Sequence, residues 1–296
     1  TYDYAEISQK SSPHNWGHPD NPSPTPVVEG TPEGVLNDVV IFPYNDIERS
    51  INLLDQYAEE IACVLIDPVP HRVGLIPGNN DFIEAIYEWT RKNNTILAFD
   101  EVVTYRACYS GAQERYKIKP DLTALGKIIG GGFPIGALAG KSDIMKVLDP
   151  REKKLKHPHS GTFSANPIST TAGYTAMKLF NKDAVSKLNK LTEIAKIQIE
   201  EAITIADVDM SITGIGSMFR IHMQKEAPST FRNAYQDSHA QHIMNELIDY
   251  LFLEENILMI NTGTCMFSTT LTQNDVDRLS DALLNGFRLI KPKINN

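Results

Sequence analysis

Short apolar runs alternate with amphipathic helical patterns through the first half of the chain, and this alternation is its strongest constraint on folding. Ile61 to Ile66 and Thr95 to Phe99 are apolar at nearly every position, as expected of strands covered on both faces. Asp38-Val39-Val40-Ile41-Phe42 reads the same way. Between them, Asn45 or Asp46 caps a helix carrying Ile47, Leu53 and Leu54, and Asn80 or Asp81 caps one with Ile83, Ile86, Tyr87 and Thr90 on one face. Strands alternating with helices predict an α/β fold with a mostly parallel sheet. Leu122-Thr123-Ala124-Leu125 and Gly136-Ala137-Leu138-Ala139 are shorter strand candidates.

The texture changes near Asn166. A small-residue-rich helix from Pro167 to Phe180 leads into a long amphipathic one from Asp183 to Ala206. A strand at Met218 to Met223, a helix from Ser238 to Glu255, a strand at Ile257 to Ile260 and a last helix opened by Asn274 or Asp275 follow. The expected division is a larger domain over 1–165 and a smaller α+β domain over 166–296. Residues 11–35, with Pro22, Pro24, Pro26 and Pro32, read as a long loop.

The net charge of −9 argues against nucleic acid and anionic membranes as partners. No apolar run approaches the length of a membrane span. Cys63, Cys108 and Cys265 are odd in number and widely spaced, which suggests reduced, buried thiols and a cytoplasmic protein.

In open α/β sheets ligands gather at the carboxyl ends of strands, where Asp100 stands. Lys127 opens the run Gly130-Gly131-Gly132-Phe133-Pro134 one strand later. Taken alone, Asp100 reads as a capping or salt-bridged aspartate, and Lys127 as a solvated lysine beside a loop. Together they supply an amine able to form a Schiff base and a carboxylate able to hold a proton on a cofactor ring nitrogen. The glycines permit sharp turns and close approach of backbone to a ligand. A nucleotide-binding loop is the rival use of Gly140-Lys141-Ser142, but Ile135 stands where that motif requires glycine. His157 and His159 lack the Cys or acidic companions of a metal site. Thr162, just before a helix, suits either a phosphate contact or a plain turn.

Three linked segments carry a family resemblance: Ala98-Phe99-Asp100-Glu101-Val102, Lys119 to Lys127 with its glycine run, and His159-Ser160-Gly161-Thr162-Phe163-Ser164-Ala165-Asn166-Pro167. Together they resemble the class III aminotransferases dependent on pyridoxal 5'-phosphate, and within them the glutamate-1-semialdehyde 2,1-aminomutase group. The resemblance implies fold type I and a homodimer with shared active sites, acting on a small amino-acid-like substrate. It implies Lys127 as the Schiff-base and proton-shuttling lysine, Asp100 as partner of the ring nitrogen, and Val102 as packing on one ring face. It implies that Thr162 reaches the phosphate in the neighbouring subunit. It also implies a long segment before Thr1, with a phosphate loop and an aromatic residue stacked on the ring, so a truncated chain is expected. A non-catalytic module acting by binding or dimerisation is the alternative. Arg72 and Arg106 are the candidates, by charge, for a substrate carboxylate. Asp67-Pro68 stands where many members carry Glu-Pro.

Overall fold

The computed structural model describes residues 3–151, 154 and 156–294. Its larger sheet has four strands: β1 (Cys63–Ile66), β2 (Ile96–Asp100), β3 (Leu122–Gly126) and β4 (Gly136–Gly140), adjacent in that order. The first three are parallel and β4 returns antiparallel, so the expected α/β class and mostly parallel sheet hold. Val64 and Ile66 of β1 share a face with Leu97 and Phe99 of β2, by register and by the period-two rule. Two helices cover that face, α1 (Ile47–Gln56) and α2 (Asn80–Lys92). Leu54, Phe82, Ile83, Ile86 and Trp89 form the core against it. Asp46 caps α1 by accepting from the Arg49 N–H at 3.1 Å. Such caps each contribute about 1 kcal/mol.

The opposite face is less covered. Cys63 and Leu65 are exposed, and β4 is exposed along its whole length. A buried Cys63 was expected from its apolar neighbours; β1 instead alternates exposed and buried residues, because the described helices pack on one side only. The expected strand at Asp38–Phe42 is irregular and pairs with no strand among the described residues. Phe42 instead packs sideways onto the helical core. Within the loop of residues 11–35, Gly17–His18 pairs with Asn21–Pro22.

After β4 comes α3 (Pro167–Leu179), capped by Asn166, whose side chain accepts from Ile168 and Ser169, with Pro167 at the first helical position. The smaller lobe then combines α4 (Lys182–Ala206), α5 (Ser238–Leu253) and α6 (Gln273–Ile294) with an antiparallel sheet. Its strands are β5 (Ser211–Thr213), β6 (Met218–His222) and β7 (Thr264–Met266), with β6 central. Phe219 and Ile221 point to the helices, joining Ile199, Leu247, Leu283 and Phe287 in one core. Met218 points the other way, into a cluster with Val69, Leu75, Val103 and Ala107 of the larger lobe. The expected strand at Ile257–Ile260 is absent. Leu258 is 84% exposed, and the edge strand is supplied later by Thr264–Met266. Among the described residues no helix is long and apolar enough to cross a membrane.

Candidate active site

Parallel register assembles the site. Asp100 is paired with Ala124 on β3, so Asp100 and Lys127 emerge from the carboxyl ends of adjacent strands. Alternation turns Asp100 to the face opposite Leu97 and Phe99, away from α1 and α2. Its Oδ1 accepts from the Val102 N–H at 3.0 Å. Its other oxygen has no hydrogen-bond partner among the described residues. Val102 is half-buried against Gly126, where an added β-carbon would stand 3.3 Å from Val102 Cγ1.

Lys127 is exposed, and its ammonium makes no ion pair among the described residues. Its backbone is left-handed, with φ 49°. A non-glycine residue in this region is strained, and such strain concentrates at functional positions. What holds it is close packing behind. The segment Lys127–Gly130 lies against α3, and an added β-carbon at Gly173 would overlap the Ile129 carbonyl. One at Gly131 (φ 58°) would overlap the Ala172 carbonyl. These glycines are therefore contact surfaces between two backbones, which accounts for the glycine at position 173 of α3.

Lys127 lines an open cleft of about 540 Å³ with Val103, Arg106, Phe133 and Pro134. Met266 of β7 closes it from the smaller lobe. Thr162 stands apart, exposed in a turn, with no side-chain hydrogen bond among the described residues. Three of the expected residues thus come together, Asp100, Val102 and Lys127, while Thr162 does not join them.

Arg106 is not an available carboxylate clamp. Its Nε donates to Ser217 Oγ at 2.9 Å and its Nη2 donates to the Phe267 carbonyl, so it ties the two lobes together. Arg72 is exposed.

Residues passed over in the sequence complete the electrostatics. Glu101 is fully buried and accepts from the Ala112 N–H at 2.5 Å and from Gln113 at 3.1 Å. Burial pushes its carboxyl up, against those hydrogen bonds. The period-two rule is the signal that separates the two acids, since consecutive residues at a strand end face opposite ways. Asp67 follows β1 as Asp100 closes β2, which sets these carboxylates side by side. Burial pushes Asp67 well above the usual carboxylate range, and the charges of Asp100 and Glu101 add to it. The Val69 N–H, donating at 2.9 Å, and the Lys127 charge oppose the rise. His71 is pushed down by burial and by the cations Lys127, Arg72 and Arg220.

A mostly parallel sheet with a carboxylate and a lysine at neighbouring strand ends is thus joined to a small α+β lobe. A sequence model described as aminotransferase class-III matches residues 26–237, and the chain belongs to that family. An ω-transaminase from Sphaerobacter thermophilus superposes with a TM-score of 0.93 at 36% identity, covering 97% of this chain and 65% of that one. A structure described as a transaminase with PLP bound gives a TM-score of 0.87 at 32% identity, over 100% of this chain and 66% of that one. Among curated proteins, the glutamate-1-semialdehyde 2,1-aminomutase of Methanothermobacter thermautotrophicus is 35% identical over 206 residues, which is 69% of this chain and 48% of that protein. The chain thus spans about half the length of this curated relative.

Proposed function

We propose that the protein carrying this chain is a pyridoxal 5'-phosphate-dependent aminotransferase or 2,1-aminomutase acting on a small amino-acid-like substrate. The observation that carries this reading is the emergence of Asp100 and Lys127 from adjacent parallel strands, with Lys127 lining the cleft. The residues present fit the cofactor: among the described residues one Asp100 oxygen and the Lys127 amine have no partner, and the apolar Val102 packs against Gly126 beside the lysine. When bound, the cofactor supplies an aldehyde and an electron-withdrawing ring. Lys127 would supply the amine that holds the cofactor and would move the proton at the substrate carbon. Asp100 would hold a proton on the ring nitrogen, Val102 would cover one ring face, and Thr162 would contact the phosphate held by a neighbouring subunit.

The reading includes a homodimer, a cytoplasmic location and a division into a larger domain over 1–165 and a smaller one over 166–296. Relatives on both sides of the mutase–transaminase divide support the class and leave the outcome to product analysis.

The test uses the full natural protein. Incubation with pyridoxal phosphate gives a new near-visible absorption band, and borohydride reduction followed by peptide mapping finds the adduct on Lys127. Lys127→Ala loses both. An adduct that persists in Lys127→Ala sinks the assignment. A folded wild type with neither band nor adduct points instead to a non-catalytic binding module.

A further inference from the structure

Arg220 occupies the centre of β6 and is only 9% exposed. On the same face, Met218 packs among larger-lobe residues, and His222 bonds through Nε2 to the Gly74 carbonyl at 3.3 Å. Arg220 lies between them, so it also faces the larger lobe. Its Nε is buried with no hydrogen-bond partner, and the guanidinium makes no ion pair among the described residues. The His222 Nδ1 beside it is likewise buried and unpartnered.

The flanking hydroxyls are engaged elsewhere. Thr213, in register with Arg220 on β5, bonds to His222 Nε2 at 2.7 Å. Thr264, in register on β7, accepts from Thr262 at 3.0 Å. Asp67, Asp100 and Glu101 each bond backbone groups, of Val69, of Val102 and of Ala112 and Gln113, and no described carboxylate pairs with Arg220. An arginine buried in this way is costly unless an anion completes it. Met218, two residues before Arg220 on the same face, packs with Val103 and is paired with Met266, both of which line the cleft that holds the lysine, so Arg220 follows the cleft wall along β6.

We propose that Arg220 is a specificity-determining residue that receives a carboxylate of the substrate at the junction of the two lobes. The planar fork of a guanidinium presents two parallel N–H donors, which match the two oxygens of a carboxylate. Its small residual exposure admits a single small group and excludes a macromolecular surface. The proposal rests on the aminotransferase reading for the identity of the substrate, but not for the existence of the anion site.

The test is thermal unfolding of the full natural protein, with and without pyridoxal phosphate, titrated with succinate and with inorganic phosphate. Succinate has a carboxylate and no amine, so its binding is independent of amine transfer. Succinate raises the Tm of wild type and of Arg72→Gln, and phosphate does so far less. Arg220→Met binds succinate roughly 30-fold more weakly or worse. Its Tm without anion is equal to or above that of wild type, since an unpaired buried charge has been removed. Arg220→Lys, which keeps the charge and loses the fork, falls between and serves if Arg220→Met does not fold. Unchanged succinate binding in Arg220→Met or Arg220→Lys overturns the proposal, as does loss of binding in Arg72→Gln alone. Equal protection by phosphate overturns the carboxylate assignment. If wild type shows no Lys127 adduct but keeps Arg220-dependent succinate binding, the aminotransferase reading fails and the site stands; an adduct without such binding gives the converse.

Discussion

Gly173 of α3 lies so close to Ile129 that a β-carbon there would overlap the Ile129 carbonyl oxygen. The contact clamps the segment that begins at Lys127, whose backbone is left-handed. Gly173→Ala is therefore expected to destabilise the protein by about 1–3 kcal/mol, the usual cost of overpacking. Gly34→Ala is the control. It is also helical, has nothing within 4 Å of the added carbon, and should be neutral or slightly stabilising. Urea denaturation of both variants decides, and equal midpoints would show that the backbone contact is slack.

Asp121 holds the amino end of β3. It forms ion pairs with Arg91 and, at 2.6 Å, with Lys141, and accepts from the Leu97 N–H at 2.7 Å. Despite the cost of burial, these partners hold its carboxyl well below the usual range. Asp121→Asn should cost roughly 2–3 kcal/mol, at the low end for a broken buried pair because Arg91 and Lys141 are partly exposed. The folded-state pKa is depressed, so this stability is present above about pH 4 and is lost as pH falls through the folded value. Denaturant midpoints from pH 7 to pH 3 should show the wild type converging on the variant.

His222 is fully buried, and burial lowers its pKa to about 4, with the Arg220 charge adding to the effect. The unfolded chain binds a proton near pH 6.5 that the folded chain refuses until about pH 4. Stability is thus complete above about pH 6.5 and declines on acidification, by roughly 2 kcal/mol between pH 7.5 and 5. His222→Gln should flatten that slope in urea unfolding at the two pH values. An unchanged slope would assign the acid sensitivity to other groups.

Asp100→Asn separates binding from chemistry. The amide keeps the size of the side chain and removes the charge that would hold a proton on the ring nitrogen. The borohydride-trapped adduct on Lys127 should still form, while kcat falls on the order of 100-fold or more. A variant with wild-type kcat would remove Asp100 from the site.

Local periodicity carried much of this protein in its sequence. Successive parallel strands are each built from a few contiguous apolar residues, so β1, β2 and β3 are legible, and with them the strand ends that bear Asp100 and Lys127. A cap such as Asp46 is equally local, because one side chain bonds an amide three residues away. Apolarity alone does not say whether a partner strand exists. Asp38–Phe42 and Ile257–Ile260 have the composition of strands and no pairing, while Thr264–Met266 pairs in full register.

The role of each charge was settled only by packing. Asp100 and Glu101 are neighbours in sequence, yet one accepts from the Val102 N–H on the face away from the covering helices and the other caps buried amides near Ala112. Arg106 looked available and is spent as a strut to Ser217 and Phe267, more than a hundred residues away. Arg220 sits in a plain strand sequence, and its buried Nε is left without a partner among the described residues. The sequence by itself determined the parallel strands β1 to β3, the Asp46 cap and the strand ends that bear Asp100 and Lys127, because these depend on residues a few positions apart. Tertiary structure decided which charges are satisfied, because that depends on atoms brought together from distant parts of the chain.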